Sequence, residues 1–91
     1  MFSEIYCVVK GKVQRVGYRD SLERYAKDHD LFGWVKNMAD GSVEVLMQGT
    51  PDELKDCMVV IHQGSPLAYV ESVAVDWRTP VKQFNEFRVL V

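Results

Sequence analysis

Apolar and polar positions alternate along this chain with two different periods, and the changes between them mark its elements. Residues 2–9 contain a short apolar run rich in β-branched side chains, Ile5 to Val9, which reads as a buried strand. From Ser21 to Leu31 the spacing turns helical, with Leu22, Tyr25, Ala26 and His29 on one face, so a loop over 10–19 and a helix over 20–31 follow. Alternation returns over 33–38 and 42–48, where Val43, Val45 and Met47 share a core face, and Asp40-Gly41 between them is a strong hairpin signal. Thr50-Pro51-Asp52-Glu53 reads as a capping box with proline in the first helical position, and Leu54, Cys57, Met58 and Ile61 form the apolar stripe of a helix over 51–63. Gly64 and Pro66 end it. Strands over 69–77 and 86–91, joined by the polar stretch Arg78 to Glu86, complete the chain.

The order βαββαβ with a terminal edge strand predicts an α+β, ferredoxin-like sandwich. Its antiparallel sheet has the strand order 4-1-3-2 plus a short C-terminal edge strand, with both helices on one face. The helix after the first strand returns the chain by a right-handed crossover, so the first two strands run parallel. The loop that ends at Arg19 and the end of the second strand at Asn37 therefore share one edge of the sheet. One strand lies between them, a gap of about 10 Å at the backbone.

Length and charge narrow the partners. The 91 residues suit one domain over 1–91, with a single core and no repeats or linkers. Eleven basic and 13 acidic residues leave a net charge of −2, which argues against a nucleic-acid partner, and no aromatic-rich RNA-binding sheet motif is present. No apolar run reaches the 18 or so residues of a membrane span, and Met1-Phe2-Ser3-Glu4 lacks the basic start of a secretion signal. A monomer in the cytoplasm is expected, with Cys7 and Cys57 as buried, reduced thiols.

The stretch Val9 to Arg19, VKGKVQRVGYR, leaves an apolar strand through a glycine-punctuated loop and ends in an arginine where a helix begins. Unpartnered N–H groups and the positive end of the helix dipole attract an anion there, and Arg19 adds a planar fork that fits two oxygens of one phosphate. A cysteine phosphatase would need Cys, five residues, then Arg, but the sixth residue after Cys7 is Val13 and after Cys57 is Gln63. The glycine spacing of a nucleotide P-loop is absent around Gly11-Lys12. A metal site would need clustered ligands, whereas His29 and His62 fall on different helices, His29 as a helix-face packing residue and His62 at a helix C-terminus; no metal and no cofactor are expected.

The same residues resemble a known family. Gly11, Val13, Gln14, Val16, Tyr18 and Arg19 match the first signature of the acylphosphatases. Gly33-Trp34-Val35-Lys36-Asn37, with Gly41, Val43 and Gly49 at the expected distances, matches the second, and Gly64-Ser65-Pro66 with Ala68 and Val70 is a softer third match. The resemblance implies hydrolysis of small acyl phosphates without a metal, inorganic phosphate or sulfate acting as competing anions. It implies that Arg19 binds the phosphoryl oxygens, within a loop made of Gln14, Arg15, Val16, Gly17, Tyr18 and Arg19. It further implies that Asn37 orients the attacking water. The chemistry is consistent, because a departing carboxylate needs no strong general acid and a phosphoryl oxygen can take the water's proton. The bland readings stand beside these: Asn37 could start the turn into Asp40-Gly41, Gln14 could hold the loop through its amide or contact substrate, and Trp34 and Tyr18 read as packing residues. Lys10, Lys12 and Arg15 either draw anions to this edge or form an ordinary solvated face.

Two positions depart from the family pattern. Asp30 replaces a glycine at the end of the first helix, where aspartate tolerates a left-handed cap. Arg15 replaces a glycine inside the loop. With Gly17 available to relax the turn, an ordinary backbone is expected at Arg15, its side chain pointing to solvent above the bound anion. The alternative is a catalytically weak anion-binding or regulatory domain of the same fold, in which Arg15 spoils the cradle.

Overall fold

Ile5, Cys7 and Val9 are fully buried and alternate with the half-buried Tyr6 and Val8, so the first strand turns one face to the core. The structure, a computed structural model, describes residues 2–90. Its elements are β1 (Ser3–Lys12), α1 (Tyr18–Asp28), β2 (Phe32–Asn37), β3 (Val43–Gly49), α2 (Pro51–Gln63), β4 (Tyr69–Arg78) and β5 (Phe87–Leu90). The sheet order is β4-β1-β3-β2-β5, as the 4-1-3-2 arrangement with a terminal edge strand requires. Of the strand expected over 86–91, Val91 lies outside the described residues.

One core lies between the sheet and the two helices. Val35, Val43, Val45 and Met47 meet Tyr18, Leu22 and Ala26 of α1 and Leu54, Cys57 and Ile61 of α2, all almost fully buried. Such side chains contribute about 1.5–3 kcal/mol each on burial. Thr50 caps α2 as the sequence suggests: the Glu53 N–H donates to Thr50 Oγ1 at 3.3 Å, and the Thr50 N–H donates to Glu53 Oε1 at 2.9 Å. The hairpin turn also forms, with the Ser42 N–H and hydroxyl both donating to Asp40 Oδ1 at 2.9 and 2.6 Å. Those bonds to Ser42 hold the Asp40 carboxyl below the ordinary aspartate range.

Element ends differ from the sequence expectation where tertiary contacts extend them. β1 continues to Lys12 because a bulge between Lys10 and Gly11 keeps it paired with β4 as far as Tyr69. α1 starts two residues early, at Tyr18, because Gly17 takes a left-handed N-cap. Asp30, at φ 53°, makes the left-handed turn assigned to it. His29 lies exposed at the C-cap of α1 rather than on a buried helix face, its ring stacked on Tyr25 at 4.0 Å.

The sheet is mixed rather than wholly antiparallel, because β5 runs parallel to β2. β4 ends on one edge of the sheet and β5 begins on the other, so residues 79–86 cross beneath it. Gln48, fully buried in β3, holds that crossing. Its Nε2 donates to the Lys82 carbonyl at 2.6 Å and to Glu4 Oε1 at 2.8 Å, while its Oε1 accepts from the Phe84 N–H at 2.9 Å. Gln48→Ala is expected to destabilise the fold by about 2–4 kcal/mol, since the buried Glu4 carboxylate and two backbone groups of the crossing lose their bonds at once. The check is the urea midpoint, which falls with an unchanged slope; a shift under about 0.5 kcal/mol would mean that the crossing does not depend on Gln48.

Candidate active site

The loop from β1 into α1 is shaped by anchors at alternate positions. Val13, Val16 and Tyr18 are buried, whereas Arg15 and Gly17 are exposed and Gln14 and Arg19 lie between. Four hydrogen bonds from three side chains pin this loop. Gln14 Nε2 donates to the carbonyls of Met38 and Ser42 at 2.8 and 2.9 Å, the Tyr18 hydroxyl to the Ile61 carbonyl, and the Ser65 hydroxyl to the Val16 carbonyl, each of the last two at 2.6 Å. The Gln14 amide nitrogen thus braces the loop against the turn that follows Asn37. Burial pushes the Tyr18 phenol well above its usual range, so it remains a neutral donor.

The backbone at Arg15 is not ordinary. Its φ is 62°, in the left-handed region, and Gly17 follows at 79°. Left-handed residues on both sides of Val16 fold the loop tightly enough to return Val16 to the core, where Ser65 holds it. Gly17 alone cannot make that turn. Arginine in this conformation gives up roughly 1–2 kcal/mol relative to glycine. The expectation that its side chain faces solvent does hold.

No side chain caps the start of α1, so its first N–H groups face outward without an intrahelical partner. They open on a concavity of about 170 Å³ lined by Val13, Arg15, Gly17, Tyr18, Arg19 and Asp20. The Asp20 carboxylate was not foreseen there. Arg19 sits in the first turn, and its Nη1 donates to the Leu90 carbonyl at 3.1 Å. β5 therefore aims the guanidinium, and the rest of its fork makes no other hydrogen bond or ion pair among the described residues. Nothing local in the sequence signals this bond, which spans 71 positions. Ser65 was visible only as part of the softer third match.

Asn37 closes β2 on the same edge of the sheet. Val9, Val43 and Asn37 pair in line across β1, β3 and β2. Asn37 does not line the loop concavity itself; it stands beside it, joined through the Met38 carbonyl that receives Gln14. Among the described residues, Asn37 Oδ1 is the one buried side-chain oxygen or nitrogen without a hydrogen-bond partner. Leaving such an acceptor unpaired costs about 1–3 kcal/mol, which a donating water removes.

Other chemistry has less to work with. Cys7 and Cys57 are free and buried, and burial pushes both thiols up to about 12, so neither supplies a thiolate near neutral pH. No group of three or more His, Cys, Asp or Glu side chains converges among the described residues. No helix among them is long and apolar enough to cross a membrane.

Comparison with known proteins agrees with this geometry. An acylphosphatase from Polaromonas naphthalenivorans is 48% identical over 65 residues, covering 71% of this chain and 64% of that protein. One from Salinibacter ruber is 41% identical over 81 residues, covering 89% and 85%. The crystal structure of acylphosphatase from Bacillus subtilis superposes with a TM-score of 0.94 at 30% identity, covering 98% of this chain and 99% of that one. The acylphosphatase family profile spans residues 5–89. With the family profile covering most of the chain and relatives 48% and 41% identical, this chain is a member of the acylphosphatase family.

Proposed function

We propose that this acylphosphatase hydrolyses small acyl phosphates by direct attack of a water held by Asn37 on a phosphoryl group held by Arg19 and the 14–19 loop. The water oxygen forms the new bond to phosphorus. The bond from phosphorus to the carboxyl oxygen breaks, and the carboxylate leaves with its electron pair. The water's proton passes to a phosphoryl oxygen. Arg19 and the N–H groups at the start of α1 balance the phosphoryl charge throughout, while Asn37 Oδ1 accepts from the water and fixes its line of approach. The unpartnered Oδ1 is the observation that carries the reading, since it offers a ready acceptor beside a site suited to a phosphate. The reading includes one domain over 1–91 acting as a monomer in the cytoplasm, where two unpaired thiols stay reduced.

Hydrolysis of benzoyl phosphate is expected to persist in excess chelator, and inorganic phosphate or sulfate should inhibit competitively at millimolar concentrations. Activity that vanishes with chelator and returns with magnesium would overturn this mechanism, as would noncompetitive inhibition. The left-handed arginine in the loop favours one alternative, a catalytically weak anion-binding domain. An unmodified chain without activity that gains it on Arg15→Gly would establish that alternative.

A further inference from the structure

Arg15 is the one basic side chain in the concavity besides Arg19, and the two are placed differently. Arg19 is half-buried and tied to the Leu90 carbonyl. Arg15 is exposed and makes no ion pair or hydrogen bond with the described residues. Its left-handed backbone sits between the buried anchors Val13 and Val16, which fix where the side chain leaves the loop. A phosphoryl group gripped by the α1 N–H groups and Arg19 must send the acyl part of its molecule outward through the mouth of this concavity. Arg15 stands at that mouth. Asp20, a carboxylate that also lines the concavity, lies in the first turn of α1 and opposes anions there, so Arg15 is the group that can reverse the local preference.

Resting on the acyl phosphate hydrolysis proposed above, we infer that Arg15 is a specificity-determining residue that favours acyl phosphates with a second anionic group, a carboxylate or phosphate, on the acyl portion. A guanidinium at the mouth pairs with such a group without disturbing the phosphoryl site, and its planar fork suits a carboxylate. Because the pair forms at the surface, its effect is modest and screened by salt.

The test compares benzoyl phosphate with 3-carboxybenzoyl and 4-carboxybenzoyl phosphate. These differ by one carboxylate and are too rigid to cyclise. In the unmodified chain the better carboxylated substrate should have a kcat/KM about 3- to 5-fold higher than benzoyl phosphate at low salt, shrinking toward parity at high salt. Arg15→Gly and Arg15→Asn, both suited to a left-handed backbone, should abolish the preference, while Arg15→Lys should keep part of it. The ratio of the two substrates is read because any change in loop strain affects both alike. An unchanged ratio in Arg15→Gly, with activity intact, would overturn the inference alone. An equal loss for both substrates together with weaker phosphate inhibition would also overturn it, by showing that Arg15 grips the phosphoryl group. Absence of benzoyl phosphate hydrolysis by the unmodified chain would overturn the hydrolytic reading itself.

Discussion

Asn37→Ala should lower kcat by about 10²- to 10³-fold while the inhibition constant for inorganic phosphate stays within about twofold of the unmodified value. The asymmetry follows from the geometry. Asn37 does not line the concavity suited to the phosphoryl group, so its loss leaves ground-state binding alone. Its buried Oδ1 has no partner among the described residues, so little folding energy depends on it, and the variant should remain folded. What disappears is the acceptor proposed to hold the water in line with the leaving oxygen. Arg19→Ala should behave differently, weakening phosphate inhibition and lowering kcat together, because a guanidinium contributes in ground and transition states alike. Arg19→Lys should recover little, since a point charge cannot bond the Leu90 carbonyl and a phosphoryl group as a planar fork does. Steady-state kinetics with competing phosphate separate the two residues. Near-normal turnover in Asn37→Ala would remove the water-orienting role, and parallel changes in both variants would merge the two roles into one.

The largest loss of stability is expected from Gly33→Ala, at the opposite end of the strand that carries Asn37. Gly33 has a φ of 138°, and a Cβ there would lie 1.9 Å from the Leu46 carbonyl oxygen of the adjoining strand. That neighbour is backbone within the ladder, so β2 and β3 would have to separate locally. A cost of about 3–5 kcal/mol is expected, a large part of the stability of a domain this size. Gly41→Ala is the control. Its φ of 94° is also positive, but nothing lies within 4 Å of the added Cβ, so only the conformational cost of about 1–2 kcal/mol should appear. Urea unfolding of both variants provides the measurement. Equal destabilisation would mean that the close approach to Leu46 is relieved without cost and that backbone conformation alone explains Gly33.

Local pattern carried much of this protein. The capping box at Thr50 and Glu53, the Asp40-Gly41 turn and the apolar alternation of β3 are set by neighbours within about four residues, so they can be read directly from the chain. The element order likewise places Arg19 and Asn37 toward one end of the sheet, because a right-handed crossover between the first two strands makes them parallel. Longer-range facts were not legible in this way. The early start of α1 and the left-handed Arg15 arise because Val16 must return to the core under Ser65, 49 positions away. The bracing role of Gln14 depends on carbonyls 24 and 28 positions away. The parallel pairing of β5, the crossing held by Gln48 and the aim of Arg19 at Leu90 belong together. Each joins segments that no periodicity relates, through polar groups whose partners exist only after the sheet has formed. The sequence by itself thus determined which elements form and that Arg19 and Asn37 lie toward one end of the sheet. Tertiary structure decided how that site is held, because hydrogen-bond partners are chosen by proximity in space and not by spacing along the chain.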